Sequence, residues 1–391
     1  MSHSHAAPLP GAELSRAELS HYGRHLLVPE IGVEGQRKLK NARVLMVGAG
    51  GLGSPLGLYL AAAGVGTLGI VEFDRIEASN LHRQVLYGAD QVGQPKLDAA
   101  AARLRGVNPH ITIRPHALRL DASNALELIA EYDLVVDGTD NFATRYLIND
   151  ACVLLGKHNV HASIFRFDGM LSIFGAPGGP CYRCLYPEPP PPGLVPSCAE
   201  AGVLGVLPGI VGALQASETI KLLLGIGQPL VGRLLRFDAL AMRFEEFAIA
   251  PDADCPICSS RASIKALVDY EQLCGMEAPG TEVAEVNVGE LKARLGGAQR
   301  PLLLDVRGAA EAAIAAIDGA QLIPLPELET RLEELERTRD IVCYCQSGKR
   351  SRKAAQLLMA AGFAAVSSLE GGMEAWLQEE AAQQVQKGVA A

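Results

Sequence analysis

The sequence predicts an α/β protein: a doubly wound, mostly parallel sheet followed by a second, smaller α/β module. Three observations predict it. An apolar strand runs straight into Gly48-Ala-Gly-Gly-Leu-Gly53 and an Ala/Leu-rich helical stretch. Strand and helix signals then keep alternating at the spacing that parallel crossovers require. After a stretch of mixed charge carrying Pro279 and Gly280, the same alternation restarts near residue 283. With 391 residues, 49% of them hydrophobic, the chain has room for two or three cores and is not one small module.

The elements follow in order. Residues 42–47 (ARVLMV) read as a short buried strand, the stretch to about residue 63 as a helix, and 67–73 as the second strand of a βαβ unit. An Ala-rich helix at 96–104 separates it from strands at 111–115 and 133–137. The run from Pro187 to Pro192 favours an extended surface crossover. In the second module 302–306 and 341–345 read as strands, and 352–361 as a helix ending at Gly362. The expected domains are 15–260, a linker at 261–282, and 283–385.

Charge and hydropathy exclude several classes of function. Lys and Arg number 35 against 44 Asp and Glu, a net charge of -9, so the cationic surplus of a nucleic-acid binder is missing. The most apolar stretch, 203–216, is interrupted by Pro208 and falls short of the ~20 residues of a membrane span. The first residues, MSHSHAAP, show no basic start before an apolar core. A cytoplasmic protein with no nucleic-acid or membrane partner is expected.

Gly48-x-Gly50-x-x-Gly53, between strand and helix, lets a backbone approach phosphates at a helix N-terminus, and Glu72 or Asp74 just past the next strand can take a ribose hydroxyl. Residues downstream of this turn bear on the choice between NAD and ATP. Asn80-Leu-His-Arg83-Gln supplies one cation, Gly93-Gln-Pro-Lys96 another, and the strand ending at Asp137 leads into Gly-Thr-Asp140-Asn141. Two cations and a carboxylate able to hold Mg²⁺ suit a triphosphate better than a nicotinamide pyrophosphate.

Nine cysteines, an odd number, argue against a disulfide framework. Cys181/Cys184 and Cys255/Cys258 form two Cys-x-x-Cys pairs, the ligand set of a structural Zn²⁺; a redox pair is the alternative and leaves the other pair unexplained. In Cys345-Gln-Ser-Gly-Lys-Arg350 a strand precedes the thiol and a helix near Ser351 follows it. Backbone N–H groups, the helix dipole, Lys349 and Arg350 can then steady an anionic sulfur. A phosphatase loop of this type spaces its Cys and Arg by five residues, whereas four intervene here. Cys343, two residues earlier, is expected on the opposite face of the strand, in the core, and Cys152 and Cys274 are expected to pack.

Tyr22-Gly-Arg24-His, the glycine turn, Asn80-Leu-His-Arg83-Gln, Gly93-Gln-Pro-Lys96, Asp137-Gly-Thr-Asp140-Asn141 and the paired cysteines, within residues 22–260, resemble the ubiquitin-activating-like adenylyltransferases of molybdopterin and thiamine biosynthesis. Asp305-Val-Arg307, the Cys345 loop and Glu370-Gly-Gly-Met-Glu-Ala-Trp376 resemble the rhodanese sulfurtransferases, with Ala316-Ile-Asp318 in place of the usual Gly-His-Ile. The first resemblance implies a Rossmann-like domain in which Gly51 lines the phosphates, Glu72 binds ribose, Arg83 and Lys96 hold phosphate groups, and Asp140 places Mg²⁺. Arg24 is implied to reach the site from the other subunit of a homodimer. Cys198, in the crossover, is implied to take a thioester or resolve a disulfide; packing is its alternative.

Together the modules resemble fused adenylyltransferase-sulfurtransferases. The resemblance implies ATP-dependent adenylation of the Gly-Gly carboxylate of a ubiquitin-like sulfur-carrier protein, then sulfur transfer from a persulfide on Cys345 loaded by an upstream donor. Two other readings are an NAD-dependent oxidoreductase with a fused redox domain and a non-catalytic scaffold for a ubiquitin-like protein.

Overall fold

The computed structural model describes residues 13–190, 202–274, 283–297 and 300–389. Two compact units divide between residues 276 and 277. In the first, β1 (Arg43–Val47), β2 (Thr67–Val71), β3 (Thr112–His116), β4 (Leu134–Asp137) and β5 (His158–Phe165) pair in parallel. Antiparallel strands β6 (Asp168–Phe174), β7 (Arg233–Asp238) and β8 (Arg243–Ala248) extend the sheet, giving the order β3-β2-β1-β4-β5-β6-β7-β8.

Side chains of β1 alternate between two cores. Val44 and Met46 belong to one, Leu45 and Val47 to the other. Both faces are covered, so β1, β2 and β4 read as nearly unbroken apolar runs rather than as alternating ones. The chain winds outward from β1 to β3 and then crosses back to β4, leaving a switch point between β1 and β4. Val47 and Asp137, their last residues, stand in register there. Crevices at such points are where open α/β sheets bind ligands.

The apolar stretch that Pro208 interrupts in the sequence contributes to an 18-residue helix, Leu207–Leu224, with Pro208 in its first turn. A missing N–H costs nothing there. Gly212 lets this helix lie against the start of helix Gly53–Ala63, since a Cβ would meet the Leu52 carbonyl oxygen at 2.6 Å.

Residues 261–282 do not all behave as the expected linker. Helix Tyr270–Leu273 packs on the first unit: Tyr270 is buried and its hydroxyl donates to Asp150 at 2.8 Å. Tyr270 is the one aromatic residue in a stretch of mixed charge and weak periodicity, so this anchor leaves little sign in the sequence.

The second unit holds β9 (Ala284–Val286), β10 (Leu302–Asp305), β11 (Gln321–Leu322), β12 (Ile341–Tyr344) and β13 (Val366–Leu369). They form an all-parallel sheet in the order β11-β10-β12-β13-β9. Cys343 and Cys345 fall in the same apolar cluster, not on opposite faces. Successive residues alternate with a period of two, so positions two apart share a face; Val342 and Tyr344 occupy the other side.

Candidate functional site

At the switch point one cleft is lined by Gly48, Gly50, Gly51, Glu72, Asp74, Arg83, Lys96, Asp140 and Asn141. Its floor is the glycine turn. Gly48 has φ +90°, open to glycine at little cost, and a Cβ on Gly53 would stand 2.2 Å from the Gly48 carbonyl oxygen. The turn is fixed at Ala49. The Ala49 N–H donates to Glu72 at 3.0 Å, and the Tyr87 hydroxyl donates to the Ala49 carbonyl at 2.8 Å. Glu72 also accepts from the Phe73 and Asp74 amides, which pins its carboxylate at the end of β2. Lys96 is buried along its stem, with its ammonium 3.2 Å from the Asp74 carboxylate. Arg83 donates to the side-chain oxygen of Asn80, which is buried and does not line the cleft. Asn141 caps helix Phe142–Leu155 by accepting from the Thr144 amide at 2.8 Å, and Asp140 is exposed beside it. Arg24 is exposed on helix Gly23–Leu26 and does not line this cleft.

Behind the wall, the buried Asp137 carboxylate lies 2.7 Å from His161 Nδ1 and accepts from the Thr139 amide and hydroxyl. Burial is the strongest single influence and opposes ionisation, yet the hydrogen bond and electrostatic pull of His161, the Arg145 charge and the Thr139 hydrogen bond together outweigh it and hold Asp137 below the usual carboxylate range. Gln215 donates to the backbone carbonyls of Asp137 and Val160, tying the end of β4 to the neighbouring β5. Arg119, Gln84 and Arg145 also line the cleft. Sequence reasoning missed these three, as well as His161, Tyr87 and Gln215. Gln84 stands in the Asn80-Leu-His-Arg83-Gln motif, though with no role assigned to it, and Arg145 lies one helical turn past the Asn141 cap; the other four carried no signal.

The two Cys-x-x-Cys pairs meet. Cys181 and Cys255 Sγ are 3.5 Å apart, Cys184 and Cys258 Sγ 3.4 Å, Cys181 and Cys184 Sγ 3.8 Å, and all four lie within 4.8 Å of one another. Four sulfurs at about 2.3 Å from one tetrahedral zinc would stand about 3.8 Å apart, so the donor set fits that ion in number, chemistry and spacing. The Cys181 and Asp252 amides donate to Cys184 Sγ, as outer contacts of a metal thiolate do. Cys198 lies outside the described residues. Cys152 is buried, and Cys274 packs at the edge of a core.

In the second unit, Cys345 follows β12, and Gly348, at φ +89°, caps the start of helix Lys349–Ala360, which begins two to three residues before the expected start at 351–352. Cys345 is 1% exposed. Its carbonyl accepts from the Met373 amide at 2.8 Å, an approach Gly372 permits because a Cβ there would meet that oxygen at 2.3 Å. The cationic setting expected from sequence is partly offset. Arg350 makes a two-pronged contact with Glu311 at 2.6 and 2.8 Å, and Arg307, 2% exposed, is forked onto Asp305. Arg307 also reaches Gln346 of the loop at 3.5 Å.

Comparison with known proteins assigns a family to each unit. Residues 22–257 match the ThiF family and residues 287–379 the rhodanese-like domain. The chain is 49% identical over 380 residues to a probable adenylyltransferase/sulfurtransferase MoeZ of Mycobacterium tuberculosis, covering 95% of each. It is 53% identical over 267 residues to a sulfur carrier protein adenylyltransferase of Thermus thermophilus, covering 67% of this chain and 98% of that one. With the adenylyltransferase and sulfurtransferase MOCS3 of Aedes aegypti it shares 41% over 383 residues, 93% of this chain and 88% of the other. Among solved structures, E. coli MccB with MccA-N7isoASN superposes with a TM-score of 0.55 at 23% identity, covering 62% of this chain and 75% of that one, a likeness of fold.

Proposed function

We propose, for a chain that belongs to the ThiF family and carries a rhodanese-like domain, an ATP-dependent adenylyltransferase and sulfurtransferase acting on the Gly-Gly carboxylate of a ubiquitin-like sulfur-carrier protein. The observation that carries this reading is the convergence of the clamped glycine turn, Glu72, Arg83, Lys96 and Asp140 on one cleft at the β1–β4 switch point.

The carrier's C-terminal carboxylate is already ionised at pH 7, so the cleft needs no general base. A carboxylate oxygen attacks the α-phosphorus, the bond to the bridging oxygen breaks, and pyrophosphate leaves with that electron pair. Gly51 and the turn present backbone to the phosphates, Glu72 takes the ribose, and Arg83 and Lys96 offset the charge of the leaving group. Asp140, an exposed carboxylate across the cleft, would hold Mg²⁺ together with substrate phosphates; the ion supplies further charge neutralisation. Arg24, being exposed and away from its own cleft, would serve the cleft of a second copy in a homodimer.

The terminal sulfur of a Cys345 persulfide then attacks the acyl carbon and AMP leaves, forming an acyl disulfide. A thiol attacking the Cys345 sulfur releases the thiocarboxylate. Cys198 is the candidate, and the Cys198–Cys345 disulfide that forms is reopened by an external thiol reductant. Tethering the donor raises its effective concentration against water, which would otherwise hydrolyse the adenylate. Cys181, Cys184, Cys255 and Cys258 would hold a structural Zn²⁺. The persulfide on Cys345 comes from an upstream donor. Among the described residues no helix is long and apolar enough to cross a membrane.

The test is exchange of radiolabelled pyrophosphate into ATP. It is expected only with a carrier bearing a free Gly-Gly carboxylate, without nicotinamide absorbance change, and to vanish in Asp140→Ala. Equal exchange with an amidated carrier would overturn the reading.

A further inference from the structure

The Cys345 loop is a weaker anion trap than its sequence suggests, and the reason is one carboxylate outside the loop. Glu311 stands in the first turn of helix Ala309–Ile314. Its two oxygens take the two prongs of Arg350 at 2.6 and 2.8 Å, and one of them also accepts from the Gly308 amide at 3.1 Å. That amide bond fixes the carboxylate from its own backbone, so the pair is anchored on the Glu311 side. The Arg350 side chain is 16% exposed and that of Glu311 36%, which places the pair at the rim rather than in bulk water. Fork-to-carboxylate contact is the geometry in which an arginine would otherwise grip a planar or tetrahedral oxyanion. The other described guanidinium at the loop, Arg307, is held by Asp305 and by the Ala315 carbonyl. A third carboxylate, Glu374, accepts from the Gln346 amide of the loop at 3.3 Å.

We propose that Glu311 is a specificity-determining residue of the Cys345 site: by occupying Arg350 it disfavours dianionic sulfane donors and leaves the loop to a singly charged cysteine persulfide. This rests on the reading of Cys345 as the sulfur-carrying thiol. With thiosulfate, the Cys345 thiolate attacks the outer sulfur, the S–S bond breaks, and sulfite departs with the electron pair, leaving a Cys345 persulfide. With a cysteine persulfide the same attack releases a cysteine thiolate. Only the first reaction places a sulfonate against Arg350, so only the first competes with Glu311.

The test loads the full-length chain from thiosulfate or from a cysteine-persulfide peptide and follows the Cys345 persulfide by intact mass and by initial rate. Glu311→Gln keeps an acceptor for the Gly308 amide while removing the charge. It is expected to lower KM for thiosulfate about fivefold, the size of competition a partly exposed ion pair supplies, with kcat and the rate from the persulfide peptide little changed. In the Arg350→Gln background the same substitution is expected to have no effect. An unchanged or raised KM for thiosulfate in Glu311→Gln, or an equal gain with both donors, overturns the proposal. Absence of any Cys345 persulfide in the wild-type chain with either donor instead defeats the reading of Cys345 itself, while carrier-dependent pyrophosphate exchange reports on the other unit.

Discussion

Glu72 and Asp137 show how two carboxylates near one nucleotide cleft divide the work. Glu72 faces the cleft and is pinned by three backbone amides. Glu72→Ala is expected to raise KM for ATP about tenfold, the equivalent of about 1.4 kcal/mol, with a smaller change in kcat, as steady-state exchange kinetics would show. Asp137 faces inward. Its folded pKa lies below the unfolded value of about 3.9, so the unfolded chain takes up the proton first as pH falls. The stabilisation is therefore complete above about pH 5 and is lost as pH drops through the folded value. Denaturation titrations should show the acid-side loss of stability shrinking in Asp137→Asn, with a cost at pH 7 of about 1–3 kcal/mol. Glu72, Arg83, Lys96 and Asp140 were legible because they flank recognisable turns. The Asp137–His161 pair was not, because it exists only once β4 and β5 lie in register.

At the scale of elements, the strand-turn-helix at Arg43–Ala63 forms the floor of the cleft, the proposed phosphate site, and its geometry depends on glycine. Gly53→Ala would push a Cβ into the Gly48 carbonyl. It is expected to abolish pyrophosphate exchange and to lower stability by about 2 kcal/mol or more, measured by chemical denaturation. Of the parallel half, β1 to β4 were legible as strands, whereas β5, whose apolar pattern is broken by His158, Asn159, His161 and Ser163, was not. The antiparallel half was not: β7 and β8 are only partly covered, so their residues show neither an apolar run nor clean alternation. The expectation about Cys343 failed through a misapplied period rather than through missing information. Tyr270 was also missed, since its partner Asp150 is 120 residues away. Tyr270→Phe is expected to cost about 1 kcal/mol, because Asp150 keeps the Arg183 fork when the hydroxyl is lost.

The whole molecule joins an adenylating unit and a sulfur-carrying unit in one chain, and the paired cysteines tie residues more than seventy positions apart within the first. Cys255→Ser is expected to abolish stoichiometric zinc binding, by elemental analysis, and to lower the Tm of the first unit while a Cys345 persulfide still forms on the second. The measurement that bears most directly on the central claim is the mass of a Gly-Gly-ended carrier after incubation with ATP, a persulfide donor and a thiol reductant. Wild-type chain should replace one carboxylate oxygen by sulfur, and Cys345→Ala should retain carrier-dependent pyrophosphate exchange yet leave the carrier unsulfurated. Sulfuration at the wild-type rate by Cys345→Ala would contradict the account.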